Sequence, residues 1–139
     1  MGLLTGGLFT GKRPTDLGVK DGRLKPVPGT PNAVSSQARS ASHAIAPLTY
    51  ATTRERAMPA LVQIVSNAPR TRIVTQSADY LHVEYTSALM GFVDDVEFWF
   101  EPGDKLIHVR SASRLGYSDF GVNRARIEDV RRRLAVAGV

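Results

Sequence analysis

The sequence predicts an α+β domain: a four-stranded antiparallel meander with two helices packed on one face and a long extended N-terminal leader wrapping the core. Three observations predict it. Two stretches, residues 52–67 and 123–137, repeat their apolar residues at helical spacing. Four runs between them are rich in β-branched and aromatic residues and alternate apolar with polar. The chain has 139 residues, of which 42% are hydrophobic and 22% charged, which suits one ordinary core rather than a disordered chain.

Residues 1–51 are rich in Gly, Pro, Ser and Thr and show no helical or strand period, so they are assigned to the leader. Proline extends the tracts Lys25-Pro-Val-Pro-Gly-Thr-Pro31 and Ala46-Pro-Leu48, because it fixes its own φ and pushes the preceding residue out of the helical region. Isolated apolar anchors at Leu17, Val19, Leu24, Val27 and Val34 favour a leader laid along the core over a free one.

The core unit is placed at residues 52–139. Thr52-Thr-Arg-Glu55 fits a capping box, and Ala57, Ala60, Leu61, Ile64 and Val65 then share one helical face as far as Asn67. Pro59 predicts a kink in that helix or a later start. Residues 71–76 and 80–87 form a first hairpin through Ser77-Ala-Asp79. Residues 94–101 and 106–112 form a second through Pro102-Gly-Asp-Lys105. With that turn, Glu101 faces Leu106, Phe98 faces Val109 and Glu97 faces Arg110. Val96, Phe98, Phe100, Ile107, Val109, Leu81, Val83 and Tyr85 then point to the helices, and His82, Glu84, Asp95, Glu97, Trp99, His108 and Arg110 to the other side. Asn123 is the expected N-cap of the last helix, with Ile127, Val130 and Leu134 on its buried side.

Composition removes several function classes. With no cysteine there is no disulfide, thiolate metal site or cysteine nucleophile, nothing points to an oxidising compartment, and the expected location is cytoplasmic. No apolar run has the roughly 18–20 residues of a membrane span. The start Met1-Gly-Leu-Leu-Thr-Gly6 lacks the features of a secretion signal and departs from the myristoylation pattern at Gly6. The formal net charge of +5 permits an anionic partner. The run Arg131 to Arg133 is accounted for by cations complementing a helix C-terminus.

Chemistry has three candidate locations. The first is the outer sheet face with His82, Glu84, Glu97, Trp99, His108 and Arg110, whose histidines and carboxylates could act as acid and base or ligate a metal; the favoured alternative is a Glu97–Arg110 ion pair with Trp99 under the leader. The second is the strand end, loop and helix start holding Arg110, Ser111, Ser113, Arg114, Tyr117, Asp119, Asn123 and Arg124, which suits a phosphate or carboxylate. A well-bonded polar loop capped by Asn123 accounts for the same residues. The third is Asn32 to Gln37 with His43, where Asp94 or Asp95 could orient the histidine as a base.

The segments Thr10-Gly-Lys-Arg-Pro-Thr-Asp-Leu-Gly-Val19, Asp21-Gly-Arg-Leu24, Pro31-Asn-Ala-Val-Ser-Ser-Gln37, His43 with Pro47-Leu48, Gly91-Phe-Val-Asp-Asp-Val-Glu97 and Val109-Arg-Ser-Ala-Ser-Arg-Leu-Gly-Tyr-Ser-Asp-Phe-Gly-Val-Asn-Arg124 resemble the family catalogued as domain of unknown function 1499. The resemblance covers most of the chain and implies a coherent unit without an assigned activity. It also implies that many relatives carry cysteines where this chain has Val27 and Ala33. Their joint loss suits a dispensable disulfide better than an essential redox or metal pair.

The leading functional expectation is therefore a non-catalytic binding or assembly module, without cofactor or metal, holding an anionic small ligand or a protein partner in a polar groove. A hydrolase using His43 with Asp94 or Asp95 is the alternative. Nucleic-acid binding through Arg124 to Arg133 ranks last, because no exposed aromatic platform accompanies the charge.

Overall fold

The structure is a computed structural model and describes residues 9–139. The first eight residues of the predicted leader, with the Met-Gly start, lie outside the described residues. In chain order the elements are β1 (Ala33–Ser35), β2 (Leu48–Thr49), α1 (Arg54–Asn67), β3 (Thr71–Gln76), β4 (Tyr80–Thr86), β5 (Val93–Phe100), β6 (Leu106–Ser113) and α2 (Val122–Ala137).

The class is α+β with two helices, but the open, largely antiparallel sheet has six strands rather than four. Its order is β1-β6-β5-β4-β3, and β2 also pairs with β6. The extra strands fall inside the stretch assigned to the leader. Ala33 pairs with Ala112 and Ser35 with Arg110 along one half of β6, while Leu48 pairs with Ile107 along the other. Strands of two and three residues are too short to show a period, so nothing in their own sequence announces them. They form because β6 otherwise presents an unpaired edge.

The two hairpins form as the alternation predicts, and the second has the predicted register: Glu97 faces Arg110 and Phe98 faces Val109. The apolar face is core. Val96, Phe98, Phe100, Ile107, Val109, Leu81 and Val83 pack with Ala57, Leu61 and Val65 of α1 and Ile127, Val130 and Leu134 of α2. Val34, Ile45 and Leu48, all from the first 51 residues, join the same cluster. All eight residues of β5 are buried, so its polar face is out of water as well as its apolar one.

Both helix starts differ from expectation. The N-cap of α1 is Thr53, whose hydroxyl accepts the Arg56 N–H at 3.2 Å. Thr52 instead donates its hydroxyl to the Val139 carbonyl at 2.7 Å. Pro59 lies within the continuous α1 span, where it removes the bond to the Glu55 carbonyl. Asn123 does not cap α2. It is fully buried inside the first turn, and Asp119 does the capping by accepting the Gly121 and Asn123 N–H groups at 2.9 and 3.1 Å.

Leu48 tests whether β2 belongs to the core. Leu48→Ala removes a fully buried side chain, and the expected loss is about 2–5 kcal/mol in urea unfolding. An unchanged midpoint would contradict the packing described.

Candidate functional site

The alternation that drives Val96 and Phe98 into the core places Asp95, Glu97 and Trp99 on the opposite face, beside His82 and Glu84 of β4 and His108 and Arg110 of β6. A half-wet face is common for antiparallel sheets, yet here the ionisable groups are buried except for the half-buried His108. Two charge clusters result.

In the first, Arg114 reaches back from the end of β6 and grips Asp95 with two hydrogen bonds, Nε to Oδ2 at 2.7 Å and Nη2 to Oδ1 at 2.9 Å. His82 Nε2 meets Asp95 Oδ1 at 2.8 Å. Arg13 and Arg114 both donate to Glu84 Oε2. Burial pushes the Asp95 and Glu84 carboxyls up, but these hydrogen bonds outweigh it and hold both below their ordinary values. The same bonds overcome burial at Arg114 and raise its pKa.

The second cluster surrounds Glu97, which has no exposed surface. Its Oε2 accepts the Tyr80 hydroxyl at 2.6 Å and the Gly18 N–H at 2.9 Å. Burial, then the neighbouring Glu97 charge, raises the Tyr80 pKa, so the phenol remains a donor. Glu97 Oε1 has no hydrogen-bond partner, and Arg110 Nη1 stands 3.9 Å from it. The predicted pairing is therefore right in register but loose in contact. Arg110 spends its donors elsewhere, Nε on the Lys25 carbonyl at 2.9 Å and Nη2 on the Pro26 carbonyl at 3.2 Å. Its pKa is lowered, chiefly by burial. Trp99 stacks on the His108 ring with centroids 5.6 Å apart.

Ser36, His108 and Glu101 form a chain that sequence reasoning missed. His108 Nδ1 lies 3.1 Å from Ser36 Oγ, and its Nε2 lies 3.0 Å from Glu101 Oε1. The order resembles nucleophile, base and orienting carboxylate. However, Ser36 Oγ already accepts the Val109 N–H at 2.9 Å, and neither Ser36 nor His108 lines the two cavities described below. Its geometry ties the end of β1 to β6. Among the described residues no group of three or more His, Asp or Glu side chains is arranged to hold a metal ion.

The residues expected to bind a ligand between Arg110 and Arg124 are divided. Ser111, Ser113, Asp119 and Asn123 are used internally: Ser111 Oγ donates to Asn123 Oδ1, and Asn123 Nδ2 reaches the Asn32 carbonyl, Ser113 Oγ and Asp119 Oδ2. Arg124 donates to the Ser42 carbonyl at 3.2 Å. Tyr117 is exposed. Arg110 and Arg114 line a cavity of about 280 Å³ with Pro14, Lys25, Val27 and Asp95, but both guanidinium groups are already engaged.

The structure does not pair His43 with either aspartate. His43 is buried, and its Nε2 lies 2.9 Å from the Thr30 carbonyl. Asp94 is paired with Arg126 at 2.8 Å, and Asp95 with Arg114 and His82. The two aspartates belong to the sheet and already have cationic partners, while His43 is anchored to backbone in a separate loop.

A family model described as a protein of unknown function, DUF1499, matches residues 23–134. The chain belongs to the DUF1499 family. No curated protein and no solved structure matches it. The DUF1499 match spans all eight elements except the last residues of α2, and so includes β1 and β2.

Within the DUF1499 region lies a larger cavity of about 560 Å³, between residues 23–29 and 35–43. Its ionisable lining residues are Arg23, Lys25, Arg39 and His43, with Ser35, Gln37, Ser40 and Ser42 as further polar groups. No carboxylate lines it. Asp16, outside the lining, holds Lys25 Nζ at 2.9 Å. The Gln37 side chain fixes the walls, accepting the Leu24 N–H at 2.8 Å and donating to the Gly22 carbonyl at 3.0 Å. The sequence signal for this groove is the set of cations Arg23, Lys25 and Arg39 flanking the Asn32 to Gln37 motif.

Arg114 links the first charge cluster, and Arg114→Met removes the only guanidinium on buried Asp95 and one of the two on Glu84, leaving Asp95 with His82 and Glu84 with Arg13. The expected loss at pH 7 is about 3–5 kcal/mol. In the native chain the stability contributed by Asp95 and Glu84 is full above their unfolded values of 3.8 and 4.5, and is lost as pH falls through their lower folded values. Without Arg114 each carboxylate loses a bond that favours its charged form and protonates more readily, so the difference between the two proteins should shrink below about pH 4. Urea unfolding at pH 7 and pH 3 measures it; a difference independent of pH contradicts the assignment.

Proposed function

We propose that this chain is a non-catalytic binding module that holds a small anionic ligand in the groove between residues 23–29 and 35–43. The observation that carries the reading is the composition of that groove: three cationic side chains and a histidine, hydroxyl and amide groups around them, and no lining carboxylate. Its volume lies in the range of small-molecule sites. Arginine, lysine and serine together match the oxygens of a phosphate or carboxylate group. The Arg110–Arg124 stretch supports the site indirectly, since Arg110 fixes the carbonyls of Lys25 and Pro26 on the groove wall.

In this reading the described part of the leader, residues 9–51, lies over the polar sheet face along residues 13–26 and then adds β1 and β2 to the edge of β6, and residues 52–139 form the core of a single domain. The bonds from Arg13 to Glu84, from Gly18 to Glu97 and from Arg110 to Lys25 and Pro26 support it. The leader's role is then double, closing the sheet and supplying both walls of the groove. Among the described residues no helix is long and apolar enough to cross a membrane.

Inorganic phosphate and citrate are suitable probes. A ligand present at about 100 times its dissociation constant stabilises the folded chain by about 2.7 kcal/mol, so the melting temperature should rise by several degrees. The rise should disappear in the Arg23→Ala, Arg39→Ala double variant and persist in Arg132→Ala. No rise with either anion, or an undiminished rise in the double variant, overturns the reading.

A further inference from the structure

Among the described residues, seven large apolar side chains remain exposed, and six of them belong to two loops and the first residue of α2. Leu89 and Met90 lie between β4 and β5; Leu115, Tyr117 and Phe120 lie between β6 and α2; Val122 begins α2. The loops share one end of the sheet, because Thr86 pairs with Val93, Asp94 pairs with Ser113 and the Arg114 N–H donates to the Val93 carbonyl at 3.1 Å. They form a rim roughly 10–15 Å wide, two to three strand spacings. Phe120 and Leu89 are 93% and 90% exposed. Phe120 also has φ +54°, a conformation uncommon for a bulky residue. The Asp119 carboxylate fixes the backbone on its far side through the Gly121 and Asn123 N–H groups.

Charge at this end is sorted. Its carboxylates are all engaged: Glu84 by Arg13 and Arg114, Asp94 by Arg126, Asp95 by Arg114, and Asp119 by backbone N–H groups. Lys12, Arg70 and Arg72 remain exposed there, with residue 11 packed against Arg114 and Arg72 paired with Glu84. The half-buried Asp79 and the exposed Asp104 sit in the hairpin turns at the opposite end.

We infer that this rim docks on a bilayer surface carrying anionic headgroups, with Leu89, Tyr117 and Phe120 entering the boundary between headgroups and acyl chains and Lys12, Arg70 and Arg72 facing the phosphates. Apolar side chains that project singly from loop tips need no shaped pocket in a fluid boundary, whereas a protein partner would need one for each. Cations beside them add attraction to anionic lipid, and a phenol is suited to a site that is apolar at one end and wet at the other. The inference is independent of the anion groove, which lies elsewhere on the chain.

Co-sedimentation of the full chain at low ionic strength with phosphatidylcholine vesicles, with and without phosphatidylglycerol, tests it. Binding is expected only with phosphatidylglycerol and should weaken with salt. The Leu89→Ser, Phe120→Ser variant should lose about tenfold or more in partitioning, and Arg70→Ala, Arg72→Ala a comparable factor. Arg132→Ala, Arg133→Ala should bind as the native chain does. Because Leu89 and Phe120 are solvent-exposed, an unchanged melting temperature verifies that the variants fold. In Phe120→Trp, emission should shift to the blue on binding, over the constant signal of buried Trp99. Absence of binding to phosphatidylglycerol vesicles, retention of binding in the Leu89→Ser, Phe120→Ser variant, or self-association of the native chain that this variant abolishes each overturns the inference; the last would assign the rim to a second copy.

Discussion

Burial of charge on the outer sheet face is the constraint on which the rest of the molecule depends. A carboxylate removed from water has to find cations or hydrogen-bond donors, or its burial costs several kcal/mol. Glu97, on the central strand β5, has no exposed surface and obtains one of its donors from the backbone of Gly18. Arg110 has the converse need and obtains acceptors from the carbonyls of Lys25 and Pro26. The segment thereby meets its own need too, since irregular backbone over a sheet must place its polar groups somewhere. Proline suits this role: Pro14, Pro26, Pro28 and Pro31 bring carbonyls without N–H groups that would require partners.

This dependence explains which parts of the fold were legible. Strands β3 to β6 could be read because alternation over six to eight residues is imposed by a buried face, and the turn at Pro102 to Lys105 set the register of the second hairpin. By contrast, β1 and β2 are defined by the edge of β6 rather than by any pattern of their own. Thr52 and Thr53 are equivalent as caps in sequence, and only the proximity of Val139 assigns Thr52 a different task. Asn123 has the chemistry of an N-cap, yet its side chain is claimed by Ser111, Ser113, Asn32 and Asp119, which lie near it only in the folded chain.

The same distinction governs the candidate sites. The sheet face was correctly drawn as a set of residues, but the sequence did not reveal whether Arg110 would prefer Glu97 or two carbonyls some 85 residues away. Burial decides this: two neutral acceptors satisfy guanidinium donors in directions the opposite strand cannot reach, leaving Glu97 Oε1 without a hydrogen bond. Ser36, His108 and Glu101 meet across separations no local motif could indicate, and their order alone does not make a nucleophile without space for a substrate.

The density of polar residues from Arg110 to Arg124 suggested a ligand, and folding uses most of it for structure. Ser111, Ser113, Asp119 and Asn123 join β1, β6 and α2, while Arg126 adds Asp94 at 2.8 Å and stands over the Tyr85 ring at 4.6 Å. Burial raises the Tyr85 pKa to about 12, so the ring is neutral beneath that cation. A network of this kind needs Asp119 and Asn123, but nothing in it needs a phenylalanine between them. Phe120 nevertheless stands there, turned to solvent on a left-handed backbone that the Asp119 bonds help to maintain. Structure accounts for the polar residues of the loop, and among the described residues nothing covers its apolar tips.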